Sequence, residues 1–146
     1  MRAMALDIGQ RRVGVAVSDA QGRIAQPVCV MDAQEVLNCG KTFKRLIEDW
    51  EPAILVCGRP KSLSGEDGQQ SERIMQIATK IAETCELPLS FQDERLSSSE
   101  AKRLLREQGL SEKDMRGKVD MVAASLFLQT WLDTRQVGKE DDGTVF

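Results

Sequence analysis

Histidine is absent from all 146 residues, and that absence excludes more chemistry than any other feature of the composition. Ser-His-Asp and Cys-His catalysis, HExxH zinc hydrolysis and mixed Cys/His metal sites are all removed. Tyrosine is missing too, and two Trp with four Phe are too few for a base-stacking platform. The four cysteines, at positions 29, 39, 57 and 85, contain no CxxC pair, which rules out zinc ribbons and thioredoxin-like redox sites. Free, buried thiols in a reducing compartment are expected rather than disulfides. No apolar run approaches the roughly 20 residues that span a bilayer, and no charged-then-apolar signal segment opens the chain. A cytoplasmic protein with no membrane partner is the expectation. Neither sign of charge dominates: the net charge is −3, of which Lys139, Glu140, Asp141 and Asp142 supply −2. Any nucleic acid would have to be held by a local basic patch.

What remains is an ordinary globular composition, 41% apolar and 29% charged, of a length that suits one domain. Residues 3–8 and 13–17 are short apolar runs separated by Gly-Gln-Arg-Arg, a β-hairpin with two arginines in its turn. A turn at Asp19–Gly22 leads to a third strand, Ile24–Met31, in which Pro27 implies a sheet edge or a bulge. Apolar residues at helical spacing predict one helix over 34–50, ended by Pro52. Ala53–Cys57 reads as a buried strand and 58–71 as a long loop. Ile74, Ile77, Ala78, Ile81, Ala82 and Cys85 mark one helix face, followed by a short strand at Pro88–Gln92. Ser97 and Glu100 form a capping box for a helix closed by Gly109. A last helix covers about 116–135, and 138–146 reads as a disordered acidic tail beyond a domain of residues 1–137. The order β-β-β-α-β-α-β-α-α implies an α/β fold: a five-stranded mixed sheet with helices on both faces.

Four acids stand where the fold does not require them. Asp7 ends the first strand, Asp93 and Glu94 follow the strand at 88–92, and Asp120 opens the last helix. Each has a bland role: a turn before Gly9, a surface pair near a helix start, a first-turn acid favoured by the helix dipole. Together they point elsewhere, because strand ends and the adjoining helix start converge on one crevice in a β-α sheet. Carboxylates gathered there repel one another unless a divalent cation neutralises them, and oxygen-only ligands select Mg²⁺ or Mn²⁺. Such a cluster suits phosphodiester hydrolysis without a histidine base.

These residues also resemble a known family. Leu6-Asp-Ile-Gly-Gln-Arg-Arg-Val-Gly-Val-Ala-Val-Ser-Asp19 resembles the opening motif of the RuvX/YqgF family. Val56-Cys-Gly-Arg-Pro60 with Ser64-Gly65 is similar to its glycine-proline loop, Asp93-Glu-Arg-Leu-Ser-Ser-Ser-Glu-Ala101 to its DERLT motif, and Lys118-Val-Asp120 with Ala123-Ala124 to its last signature. The likeness covers about residues 3–135, with the motifs in order. It implies a ribonuclease-H-like fold and a metal-dependent nuclease of the cytoplasm, either processing the 5′ end of pre-16S ribosomal RNA or resolving Holliday junctions. It also implies that Asp7, Asp93 or Glu94, and Asp120 are the metal-binding and catalytic carboxylates. The family has no acid at the end of the fourth strand, here Cys57-Gly58, so the choice between Asp93 and Glu94 stays open. Arg59 and Lys61 make the loop of this chain more basic than is usual for the family.

Arg11, Arg12, Arg59, Lys61, Arg95, Lys102, Arg116 and Lys118 adjoin the motifs and form an expected phosphate-binding rim. Arg103 and Arg106 fit solvated surface charge equally well. The leading reading is a nuclease of structured or precursor RNA, RNA ahead of DNA, working as a monomer or dimer and in contact with a ribosomal precursor particle. A resolvase of branched DNA, a non-catalytic ribosomal-RNA-binding factor and, last, an ATP-binding fold of the sugar-kinase kind are the alternatives.

Overall fold

The computed structural model describes residues 1–60 and 68–145, with side chains as far as Arg135. Its elements are β1 (Ala3–Ile8), β2 (Arg12–Ser18), β3 (Ala25–Asp32), α1 (Ala33–Leu37), α2 (Lys41–Trp50), β4 (Ile54–Arg59), α3 (Gly68–Cys85), β5 (Leu89–Asp93), α4 (Ser97–Glu107), α5 (Glu112–Met115) and α6 (Val119–Val145). The sheet order is β3-β2-β1-β4-β5. The first three strands form an antiparallel meander, and β4 and β5 add in parallel beside β1. The expected five-stranded mixed sheet is therefore present.

Strand alternation divides the core in two. Met4, Leu6, Ile8, Val13, Val15, Val17, Leu55 and Cys57 face α1, α2 and α3. The intervening Ala3, Ala5, Ala16 and Val56 face Ala124, Phe127, Leu128 and Trp131 of α6. The second face is built from small residues, so α6 can lie close to the sheet. Among them Gly14 is decisive: a Cβ there would overlap the carbonyl oxygen of Asp120 and stand 2.6 Å from the Met121 nitrogen. Gly14→Ala is expected to lower stability by about 2–3 kcal/mol, because two backbones rather than a flexible side chain must move apart. A thermal melt checks this, with Tm falling by roughly 5–10 °C; an unchanged melt would mean that α6 does not rest on Gly14.

Pro27 lies on an edge strand and at a bulge. Val15 pairs with Cys29 and Ala16 with Pro27, which leaves Val28 as the extra residue, so the missing N–H of proline costs no ladder bond.

Three local expectations change. The single helix over 34–50 is two, α1 and α2, broken where Cys39 takes a left-handed backbone (φ 49°). The Glu35 carboxylate folds back to accept from Thr42 N at 2.7 Å and Phe43 N at 3.2 Å, capping α2 from within α1. The capping box does not form. Leu96, at φ 72°, is the N-cap of α4 and makes no side-chain cap bond, so Ser97 already lies inside the helix and Glu100 turns to Arg103. Gly109 does close α4: at φ 84° it donates to Arg106 O at 2.9 Å while Leu110 donates to Leu105 O at 3.2 Å, a Schellman end. Finally, residues 58–71 are not all loop, since β4 reaches Arg59 and α3 starts at Gly68. The backbone of α6 runs helical through 138–145, the stretch read from sequence as an acidic tail. No helix among the described residues is long and apolar enough to cross a membrane.

Candidate active site

Asp7 shares its face with Ala3 and Ala5, the face that α6 covers. It is flanked by two glycines. On β2, Gly14 is its register partner, and the absence of a side chain there lets the first turn of α6 bring Asp120 alongside. On β4, Leu6 pairs with Cys57, so Gly58 comes next on the other flank. A Cβ at Gly58 would overlap Glu94 Oε2. The Glu94 side chain, launched from the end of β5, thus lies across the end of β4, where the sequence offers Cys57-Gly58 in place of an acid. A carboxylate carried at the end of β5 therefore reaches the end of β4, which has none of its own.

Asp7 and Glu94 are hydrogen-bonded to each other, and Asp7 also feels the charge of Asp120. Burial is the main cause that raises the Asp7 carboxyl from 3.8 to about 8, with the Glu94 charge next. Burial raises Glu94 as well, offset in part by the Asp7 hydrogen bond. Two carboxylates this close cannot both ionise in a low-dielectric site, so one proton is held between them. Asp93 goes elsewhere. Its Oδ1 accepts from Arg95 N at 2.8 Å and its Oδ2 lies 3.3 Å from Arg95 Nη2. Asp93 thereby fixes the turn out of β5 that sends Glu94 inward. Asp120 is held by Arg12, whose Nε is 3.4 Å from Oδ2. Among the described residues, no three Asp, Glu, Cys or His groups are disposed as they stand to hold a metal ion; the expected gathering of three or four carboxylates is a pair with a third acid tied to arginine.

A model of the RuvX family, described as Holliday junction resolvase, matches residues 1–134. The chain belongs to the RuvX family. A relative from Acaryochloris marina, named as a candidate pre-16S rRNA nuclease, is 37% identical over 133 residues, covering 91% of this chain and 92% of its own. A second with the same name, from Gloeothece citriformis, is 38% identical over 134 residues, covering 92% of this chain and 89% of its own. Among solved structures, Thermus thermophilus RuvC in complex with a Holliday junction substrate superposes with a TM-score of 0.55 at 13% identity, over 93% of this chain and 96% of that one. A Fowlpox virus resolvase bound to junction DNA gives 0.53 at 10% identity, over 92% and 98%. At such identities these two show the fold, and the ribonuclease-H-like expectation holds.

In this RuvX chain the donor chemistry fits a hard divalent cation. Asp7, Glu94 and Asp120 offer oxygen only, and a proton shared by a half-buried carboxyl pair is what a cation replaces. The thiol of Cys57, close by, is fully buried and is pushed well above its usual range, first by burial and then by the Glu94 charge, so it is no competing thiolate ligand.

The basic residues divide. Arg12 leans over the site, its Nη1 donating to Arg116 O at 3.0 Å. Beside Asp120 is a cleft of about 370 Å³ whose lining includes Arg12, Ser98, Lys102, Arg116 and one further acid, Glu112. Sequence adjacency to the motifs found Arg12, Lys102 and Arg116; Ser98 lies within the third motif but was not singled out, because its place on the cleft depends on how α4 packs against α6. Arg11, Arg59, Arg95 and Lys118 are exposed, and Arg59 contacts Ser71 Oγ at 3.4 Å. Lys61 lies outside the described residues. Arg103 pairs with Glu100 and Glu107, and Arg106 with Glu112, so both belong to a self-neutralised helix surface.

Proposed function

We propose that this RuvX-family chain is a divalent-metal-dependent nuclease of the cytoplasm that hydrolyses phosphodiester bonds near the 5′ end of pre-16S ribosomal RNA, within a precursor particle. The observation that carries this reading is the half-buried Asp7–Glu94 carboxyl pair with Asp120 beside it, placed at the strand ends by two glycines. Asp7, Glu94 and Asp120 would hold Mg²⁺ or Mn²⁺, which supplies the charge that balances the carboxylates and lowers the pKa of water for attack on phosphorus. Asp93 is a positioning residue that aims Glu94. Arg12 and Arg116, with Lys102 on the cleft beside Asp120, meet the phosphates of the strand. The exposed Arg11, Arg59, Arg95 and Lys118, with Lys61, extend that rim and give local attraction despite a net charge of −3.

The family description favours a second reading, cleavage of branched DNA. A carboxylate site reads the phosphodiester rather than the base, so discrimination comes from substrate shape. The scarcity of aromatic residues suits a protein that handles one strand at a time. With Mn²⁺, cleavage of single-stranded precursor-RNA ends is expected to be faster than resolution of a four-way DNA junction at equal strand concentration and salt. The Asp7→Asn protein serves as the contamination control. Paired symmetric nicking of the junction, faster than any RNA cleavage, would reverse the assignment; binding of RNA without cleavage of either substrate would make the chain a binding factor.

A further inference from the structure

Two of the four thiols meet. Cys39, in the elbow between α1 and α2, and Cys85, the last residue of α3, lie 46 positions apart in sequence, yet their Sγ atoms are 3.8 Å apart. Cys39 is almost fully buried, 7% exposed, and Cys85 packs against the same core while remaining partly open to solvent. Cys39 also occupies a left-handed backbone position, φ 49°, where glycine or asparagine would sit with less strain. Its amide is tied to Val36 O at 3.1 Å, which fixes the elbow and points the thiol at α3. The other two thiols, Cys29 on the edge strand β3 and Cys57 in β4, are free as well.

We infer that Cys39 and Cys85 form a reversible intramolecular disulfide, a covalent modification site on the face of the sheet opposite the carboxylates. The partly exposed member receives the oxidant and the buried member resolves it. With glutathione disulfide as the oxidant class, the Cys85 thiolate attacks one sulfur and releases one glutathione. The Cys39 thiolate then attacks Cys85 Sγ and expels the second. The two thiol protons end on the two glutathione thiols, and the two electrons removed from the cysteines reside there. Burial, followed by the hydrogen bond shared with Cys39, pushes the Cys85 thiol up to about 12, so its attack on the oxidant is slow. The product ties the α1–α2 elbow to the end of α3 and closes a long loop of the unfolded chain.

The full chain, incubated with glutathione disulfide and mapped by mass spectrometry without reduction, should lose two hydrogens and yield a Cys39–Cys85 cross-linked peptide. Its Tm should rise by about 5–10 °C and return on reduction. Cys39→Ser should instead retain one glutathione on Cys85, because the resolving thiol is gone. A wild-type protein that keeps glutathione on Cys85, that cross-links through Cys29 between chains, or that shows no change at either residue would overturn the assignment and leave the pair as core packing. The wild-type peptide map decides the matter even where a serine variant fails to fold.

Discussion

Asp7→Asn is expected to abolish cleavage, by roughly 10²-fold or more, while making the metal-free protein more stable at neutral pH. The two effects share one cause. Burial and the Glu94 charge raise the Asp7 carboxyl from 3.8 to about 8, so the folded protein holds a proton that the unfolded chain releases. A group whose folded pKa is raised gives its full stabilisation below the unfolded value and loses it as pH climbs through the folded value. Metal-free wild type should therefore weaken steadily between about pH 4 and pH 8. Asparagine removes that dependence, and its amide still donates to Glu94. The gain at pH 7 should be about 2–4 kcal/mol. Mn²⁺ should raise the wild-type Tm in the same pH window, because it binds the folded carboxylates and not the dispersed ones, and should leave Asp7→Asn nearly unmoved. Melts across pH with and without Mn²⁺, run beside nuclease assays, check both halves. Full activity in Asp7→Asn, or a wild-type melt flat from pH 4 to pH 8, would contradict the placement of Asp7 in a shared-proton pair.

Gly58→Ala is expected to cost about 10²-fold in turnover with little change in stability. The added methyl would take the place of Glu94 Oε2 and stand 3.0 Å from Phe127 Cε2 and 3.1 Å from Glu94 Cβ. Glu94 can swing toward solvent, which relieves its own burial, and the ring needs to move only a few tenths of an ångström. Tm should accordingly shift by less than about 3 °C. Because Arg12, Arg116 and Lys102 are untouched, the loss should fall on kcat and leave KM for RNA nearly constant. Glu94→Gln should reproduce the defect. Asp93→Asn should retain most of the activity, since an asparagine oxygen can still accept from the Arg95 amide. Equal, severe losses at 93 and 94 would mean that both carboxylates hold the cation.

Much of this was legible in the sequence because it rests on periodicity. Short apolar runs marked the five strands, helical spacing set the α3 and α6 faces, and a proline in β3 signalled an edge or a bulge. Ordered motifs pointed to the family and to Asp7, Asp93 or Glu94, and Asp120 as a group, and the lack of histidine already excluded histidine-based catalysis. Local chain geometry was less legible. Leu96 enters a left-handed conformation that no propensity favours, which removes the capping box, and Cys39 does the same between α1 and α2. The choice between Asp93 and Glu94 depended on which way the turn after β5 rotates, and two residues adjacent in sequence look alike until an Arg95 amide claims one of them. Likewise Gly14 and Gly58 read as ordinary strand glycines until α6 and Glu94 occupy the spaces they leave, and Cys39 and Cys85 become neighbours only when α3 packs against the elbow. The sequence by itself determined where the strands run and which of their residues share a face, since the latter follows from backbone period alone. Only the tertiary structure decided which side chains fill the gaps between elements, because those contacts join segments tens of residues apart and leave no periodic trace.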